Sequence, residues 1–103
     1  MVRHARCRGA IEAAEALVSR IIPVVDELDE EISAAVEHWR FERVGAVERA
    51  ILRLAFFELR GGKTPPKVVI NEAVRLAHWF AGESAPSFVN GVLDAAARRA
   101  GRL

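Results

Sequence analysis

Apolar residues recur three and four positions apart through most of the chain, and this spacing restricts it to helices. Between Gly9 and Ile22 the recurring residues are Ala10, Ala13, Ala14, Leu17, Val18 and Ile21. One apolar stripe at this period is typical of an amphipathic helix. Because no segment alternates apolar and polar residues as a strand does, the sequence predicts an all-α fold.

Prolines and glycines divide this pattern into about five helices. Pro23 removes a backbone donor, so a kink or short break is expected near Ile22. Gly61-Gly62 suits a helix C-terminus, and Ser84 is a plausible N-cap. The predicted helices cover residues 9–22, 24–39, 46–60, 65–80 and 85–100. Helices this short need partners, so they should pack into a compact bundle.

The composition fits one small intracellular domain. With 103 residues, 51% of them apolar, the chain can bury one core, and residues 1–103 are predicted to form a single domain. No apolar run reaches the roughly 20 residues that a membrane helix needs, and no secretory signal pattern is present, so we expect a cytoplasmic protein. Cys7 is the single cysteine, which excludes an internal disulfide.

The net charge of +1 conceals a segregated distribution. Residues 23–37 contain six acidic residues and no basic one, whereas residues 1–22 and 38–103 are both net basic. Such segregation creates local fields that the total does not reveal.

The residues that could carry catalysis form no recognisable site. His4, His38 and His78 are scattered, and the His4–Cys7 pair falls short of the four ligands of a structural zinc site. Gly61-Gly62 lacks the rest of a phosphate-binding loop. The sequence therefore predicts a protein that is not an enzyme and has no metal or cofactor.

Two asparagines interrupt the last two helix patterns. Asn71 lies within residues 67–74, and Asn90 lies within residues 87–94. Asparagine is a mediocre helix former that competes for backbone hydrogen bonds, so a mid-helix position suggests a specific partner. We expect Asn71, Glu72 and Asn90 to face neighbouring helices, to bond to backbone or to each other, and to fix helix register; the alternative is that they contact a ligand.

These two segments, with others upstream, resemble the NusB family over residues 14–99. The matching segments, in chain order, are Leu17-Val18, Glu27-Leu28-Asp29, Ile32, Trp39, Glu42-Arg43-Val44, Val47 to Ala55, Glu58-Leu59, Pro66 to Val74 and Phe88 to Asp94. The resemblance implies an all-helical, non-enzymatic factor that binds boxA-type RNA together with the ribosomal protein NusE. It also implies a role in transcription antitermination and ribosomal RNA synthesis, with the transcription elongation complex as a partner.

The resemblance also assigns candidate binding residues. It implies that Glu42 and Glu48 face NusE, where negative charge would speed capture of a basic protein; the alternative is that both are solvated helix-terminal charges. It implies that Phe88 and Ser84 lie near RNA, although Phe88 could instead belong to the core. Ser84 departs from the family pattern, in which aspartate is typical.

The N-terminus is the largest departure from the family. NusB proteins normally begin with an arginine-rich helix and a second helix, whereas residues 1–13 are divergent or truncated. Arg3, Arg6 and Arg8 either replace the basic helix by contacting RNA phosphates or belong to a frayed, solubilising tail. The apolar stripe within residues 10–22 then lacks partners, so we expect a homodimer or another self-association through this segment.

Three functions are consistent with the sequence. The favoured one is a shortened NusB-like antitermination factor. The second is a protein-interaction module that keeps the NusE-facing surface but has lost RNA binding. The third is an N-terminal fragment of an RNA cytosine methyltransferase, which would need a catalytic domain elsewhere.

Overall fold

In a computed structural model, the described residues of the chain form five α-helices. The structure describes the backbone of residues 2–36 and 44–102 and the side chains of residues 12–36 and 44–102. The helices are α1 (Val2–Ile21), α2 (Val25–Ala35), α3 (Ala46–Gly61), α4 (Pro66–Phe80) and α5 (Ala85–Arg99). Since no strand occurs in the two described ranges, the all-α prediction is confirmed.

The break predicted near Ile22 is confirmed. Ile22–Val24 forms a single 3₁₀ turn between α1 and α2, with Pro23 in it. The two flanking helices differ from their predicted bounds, because α1 already begins at Val2 and α2 ends at Ala35. Helix ends are the least certain part of any sequence pattern, since the apolar stripe does not mark them.

The core is one hydrophobic cluster centred on α3. This helix packs against each of the other four α-helices. Its buried residues are Ile51, Leu52, Ala55, Phe56 and Leu59. They meet Leu28 and Ile32 of α2 and the apolar stripes of α4 and α5. Among the described residues, no polar or charged side chain is buried, so burial of apolar surface holds the bundle together.

The described part of α1 is less covered than the other helices. Val18 is 51% exposed and Ile22, just after α1, is 63% exposed. Ile21 is partly buried against the core, and the Arg20 guanidinium lies 5.4 Å from the centre of the Phe57 ring. Homodimer formation through residues 10–22 therefore stays a prediction.

Ion pairs fasten the acidic helix α2 to α3. Arg53 donates two hydrogen bonds to Asp29, from Nε to Oδ1 at 2.7 Å and from the second guanidinium nitrogen to Oδ2 at 2.9 Å. Arg60 bonds to both Glu31 and Glu27. The hydrogen bond to Asp29 raises the pKa of Arg53, and those to Glu31 and Glu27 raise the pKa of Arg60. Part of the acidic middle of the sequence therefore neutralises arginines of α3.

The C-terminal end of α3 is capped by residues that follow α5. Gly62 adopts the left-handed conformation at φ 70°, as the glycine pair predicts. Gly101 does the same at φ 71°, and the Arg102 amide then donates to the Ala97 carbonyl at 2.9 Å. This turn directs the Arg102 guanidinium onto the Leu59 carbonyl, one of the acceptors left unpaired at the end of α3.

Candidate macromolecular interface

A groove of about 470 Å³ opens between the first turn of α3 and the first turn of α5. Its lining residues are Glu48, Gly82, Ser84, Ala85, Ser87 and Phe88. The structure thus joins Glu48, predicted for the protein-partner surface, to Ser84 and Phe88, predicted for RNA. Sequence positions forty residues apart share one surface because α3 and α5 pack directly against each other.

The wall formed by α5 is shaped by a tight loop after α4. The Ala85 amide donates to the Gly82 carbonyl at 3.0 Å, and the Phe88 amide donates to the Ser84 carbonyl at 3.2 Å. Ser84 is the N-cap residue, as predicted, but its side chain makes no capping hydrogen bond. Ala85 is buried and anchors the helix start, while Ser84 remains exposed beside the groove.

The opposite wall is Glu48, which also closes the start of α3. The Gly45 amide donates to Glu48 Oε2 at 3.2 Å. A Cβ atom on residue 45 would lie 2.6 Å from that oxygen, so glycine permits this close approach. The carboxylate also favours the positive end of the helix dipole. Both earlier interpretations of Glu48 therefore fit its position, since it is a helix-terminal charge and a partly exposed groove residue.

Two exposed aromatic residues lie at the same end of the molecule as the groove. Trp79 is 70% exposed and Phe80 is 69% exposed, at the end of α4 just before the Gly82–Ser84 loop. Neither was among the site residues predicted from the sequence. The sequence could have indicated that Trp79 is exposed, because Trp79 lies about 200° around the helix from the buried Ala77.

Four of the predicted site residues lie wholly or partly outside the described residues. Glu42 lies outside the described residues. The side chains of Arg3, Arg6 and Arg8 also lie outside them, although the backbone at these positions belongs to α1. Phe88 is partly buried, so its ring packs on the core while it lines the groove.

The prediction for the two asparagines and Glu72 is wrong in this structure. Asn71, Glu72 and Asn90 are all exposed, and neither amide side chain bonds to another residue that the structure describes. Glu72 lies 3.7 Å from Arg75 on its own helix. The buried stripe of α4 runs through Val69, Ile70, Ala73 and Ala77. Asn71 lies about 200° around the helix from both Val69 and Ala73 and so turns away from the core, and Asn90 lies about 200° from the buried Val92.

The described residues contain neither a metal-ligand cluster nor a membrane-spanning helix. Among the described side chains, those of residues 12–36 and 44–102, no group of three or more His, Cys, Asp or Glu could hold a metal ion. In the same part of the chain, no helix has both the length and the apolar character needed to cross a membrane.

Comparison with known proteins gives one consistent relationship. A model of the NusB family matches residues 7–98. A transcription antitermination protein NusB of Solibacter usitatus is 49% identical over 82 residues, which are 80% of this chain and 56% of that protein. A protein of the same name from Sulfurimonas denitrificans is 44% identical over 94 residues, which are 91% of this chain and 68% of that protein. The chain thus spans only part of the length of these relatives.

Solved structures give the same relationship. A T. maritima NusB structure superposes with a TM-score of 0.78 at 36% identity, covering 84% of this chain and 62% of that one. A structure named for a plectonemic RNA supercoil superposes equally well, with a TM-score of 0.78 at 36% identity, covering 89% of this chain and 67% of that one.

The exposure of the asparagines predicts that they do not stabilise the fold. Replacing both, Asn71→Ala and Asn90→Ala, should leave the free energy of unfolding unchanged or raise it by about 0.5 kcal/mol per site, because alanine is the better helix former. Urea denaturation of the double variant measures this. A loss of about 1–3 kcal/mol per site would instead show buried, bonded amides and contradict the exposed positions.

Proposed function

The chain belongs to the NusB family, and on that premise we propose that it is a non-enzymatic transcription antitermination factor that binds boxA-type RNA together with the ribosomal protein NusE. The names of its relatives, and the RNA supercoil in the name of one structural neighbour, support this function. They favour it over a methyltransferase fragment.

The observation that carries the proposal is the groove itself. It has a carboxylate on the α3 side and an aromatic ring and a serine on the α5 side. The carboxylate attracts a basic protein, while an aromatic ring offers a stacking surface to a base. One groove therefore provides complementary surfaces for a basic protein and a single-stranded RNA, side by side.

The surroundings of the groove extend both surfaces. The exposed Trp79 and Phe80 lie at the same end of the bundle and add aromatic area next to the Gly82–Ser84 loop. Single-stranded nucleic acids bind to surfaces on which bases stack and cations contact phosphates. We assign the phosphate contacts to Arg3, Arg6 and Arg8 of α1, and the NusE contacts to Glu48 together with Glu42.

Binding of this kind requires no chemistry from the protein. The free energy comes from stacking, from release of counterions by the phosphates and from charge attraction across the protein interface. NusE and RNA that touch opposite walls of one groove stabilise each other's position, so each should bind more tightly when the other is present.

The charge on Glu48 predicts a kinetic effect on NusE binding. Glu48→Gln keeps a side-chain oxygen that can accept the Gly45 amide hydrogen bond, so stability should fall only by the lost charge–dipole interaction, about 0.3–1 kcal/mol. It removes the negative charge, so association with NusE at low salt should slow by about 3–10-fold. Surface plasmon resonance at two salt concentrations measures this rate.

The matched control for this change is Glu12→Gln, which removes one exposed charge from α1. An association rate for Glu48→Gln equal to that of the control would place Glu48 outside the NusE surface and leave it only its capping role.

The basic residues of α1 predict the salt dependence of RNA binding. Replacing Arg3, Arg6 and Arg8 together by alanine should weaken boxA-type RNA binding and reduce the slope of log K against log salt by about two, since each lost phosphate contact on a single strand contributes about 0.7. NusE affinity should not change. Fluorescence anisotropy across a salt series gives the slope.

The control replaces Arg98 and Arg99, two exposed arginines at the far end of α5. An unchanged slope in the triple variant would remove α1 from the RNA contact. NusE binding without any RNA binding by the unaltered protein would identify the alternative function, a protein-interaction module.

A further inference from the structure

The outer face of α4 carries four exposed residues at intervals of four, which we name the α4 ladder. They are Lys67, Asn71, Arg75 and Trp79. Residues four apart lie one above the other on a helix, about 6 Å apart, so the ladder extends over about 18 Å. Its last residue adjoins Phe80 and the loop that lines the groove.

The ladder combines three kinds of side chain. It presents two cations, an amide with no bond to another described residue, and an indole ring. The acid beside it, Glu72, lies 3.7 Å from Arg75, and both side chains of this pair are more than half exposed. Such a surface pair is weak and leaves the guanidinium accessible to another anion.

Trp79 is held so that most of its ring faces solvent. The His78 ring contacts it edge to face, with centroids 6.0 Å apart and an angle of 81° between planes. The indole nevertheless stays 70% exposed. Covering an indole exposed to this degree removes apolar surface from water, and the flat face of a nucleobase is one partner that can cover it.

We propose that the α4 ladder binds single-stranded RNA and extends the RNA path from the groove along α4. A base stacks on Trp79, Arg75 and Lys67 contact successive phosphates, and Asn71 hydrogen-bonds a base edge or a ribose. This proposal rests on the proposed function, because it assigns further contacts to the same RNA. It also gives the exposed Asn71 a role that the fold does not.

The composition of the ladder favours RNA over a protein partner. Protein interfaces are depleted in lysine at their centres and are built around packed apolar residues. The ladder instead presents two cations and an amide beside one aromatic ring, although the exposed Val68 (45%) and Phe80 (69%) adjoin it. Cations with an aromatic platform are the usual surface for single strands.

Trp79 itself reports on the proposed contact. The chain contains two tryptophans, Trp39 and Trp79, so Trp39→Phe leaves Trp79 as the sole indole. The full chain with this change is titrated with boxA-type RNA, alone and extended at both ends by about ten unstructured nucleotides. Stacking should quench the fluorescence of Trp79, and the extended RNA should bind more tightly than the short one.

Substitutions then separate stacking from charge. Trp79→Ala should weaken binding of the extended RNA by about tenfold, while Trp79→Phe keeps most of the affinity because it keeps a ring. Arg75→Gln should reduce the salt slope by about 0.7. The matched control is Arg98→Gln, since Arg98 is equally exposed and also pairs with an acid on its own helix, Asp94 at 2.8 Å.

The possible failures are distinguishable. If boxA-type RNA binds but Trp79 is not quenched and Trp79→Ala binds the extended RNA normally, the ladder is wrong and the proposed function stands. If Trp79→Ala and Arg75→Gln weaken NusE binding and leave RNA binding unchanged, the face is a protein surface and the ladder is again wrong. If the unaltered chain binds neither RNA, both proposals are wrong.

Discussion

Burial of the apolar face of α3 is the constraint on which the rest of the structure depends. The apolar residues of this helix contact every other α-helix, and ion pairs from Arg53 and Arg60 hold α2 beside it. Both of its ends are closed by specific contacts, Glu48 with Gly45 at the start and Arg102 with Leu59 at the end. A helix fixed in this way gives its first turn a definite position, and Glu48 forms one wall of the groove.

The α4–α5 hairpin completes the site by the same logic. Its buried stripes, which include Val69 and Val89, pack α4 and α5 together and against α3. The loop between them therefore lies at one end of the bundle, where Ser84 and Phe88 face Glu48 and where Trp79 and Phe80 are exposed. Residues with binding chemistry collect at this end because the apolar stripes leave it uncovered.

The sequence pattern predicted the fold well where the helix-breaking residues and the spacing of apolar residues agree. The start of α3 at Ala46, the bounds of α4 and the break at Pro23 all follow from proline, glycine and the apolar stripe. The asparagines were misplaced because each lies about 200° around its helix from a buried residue two positions away, Ala73 for Asn71 and Val92 for Asn90. Trp79 was missed for a related reason, since an aromatic residue suggests core until its angle to Ala77 is considered. The groove was beyond reach of the pattern, because it depends on how α3 and α5 pack.

The central claim is that the first turns of α3 and α5 form one surface on which protein and RNA meet. First-turn amides have no partner within their helix, so they exchange their hydrogens readily until something covers them. Amide hydrogen exchange of the chain, before and after addition of NusE and boxA-type RNA, tests this directly. The account predicts slower exchange at residues 46–48 and 82–84 and at Ser87, since Arg49, Ala85 and Phe88 already donate to backbone carbonyls and Pro86 has no amide hydrogen. Protection limited to α2 and the end of α3, or no protection, would contradict it.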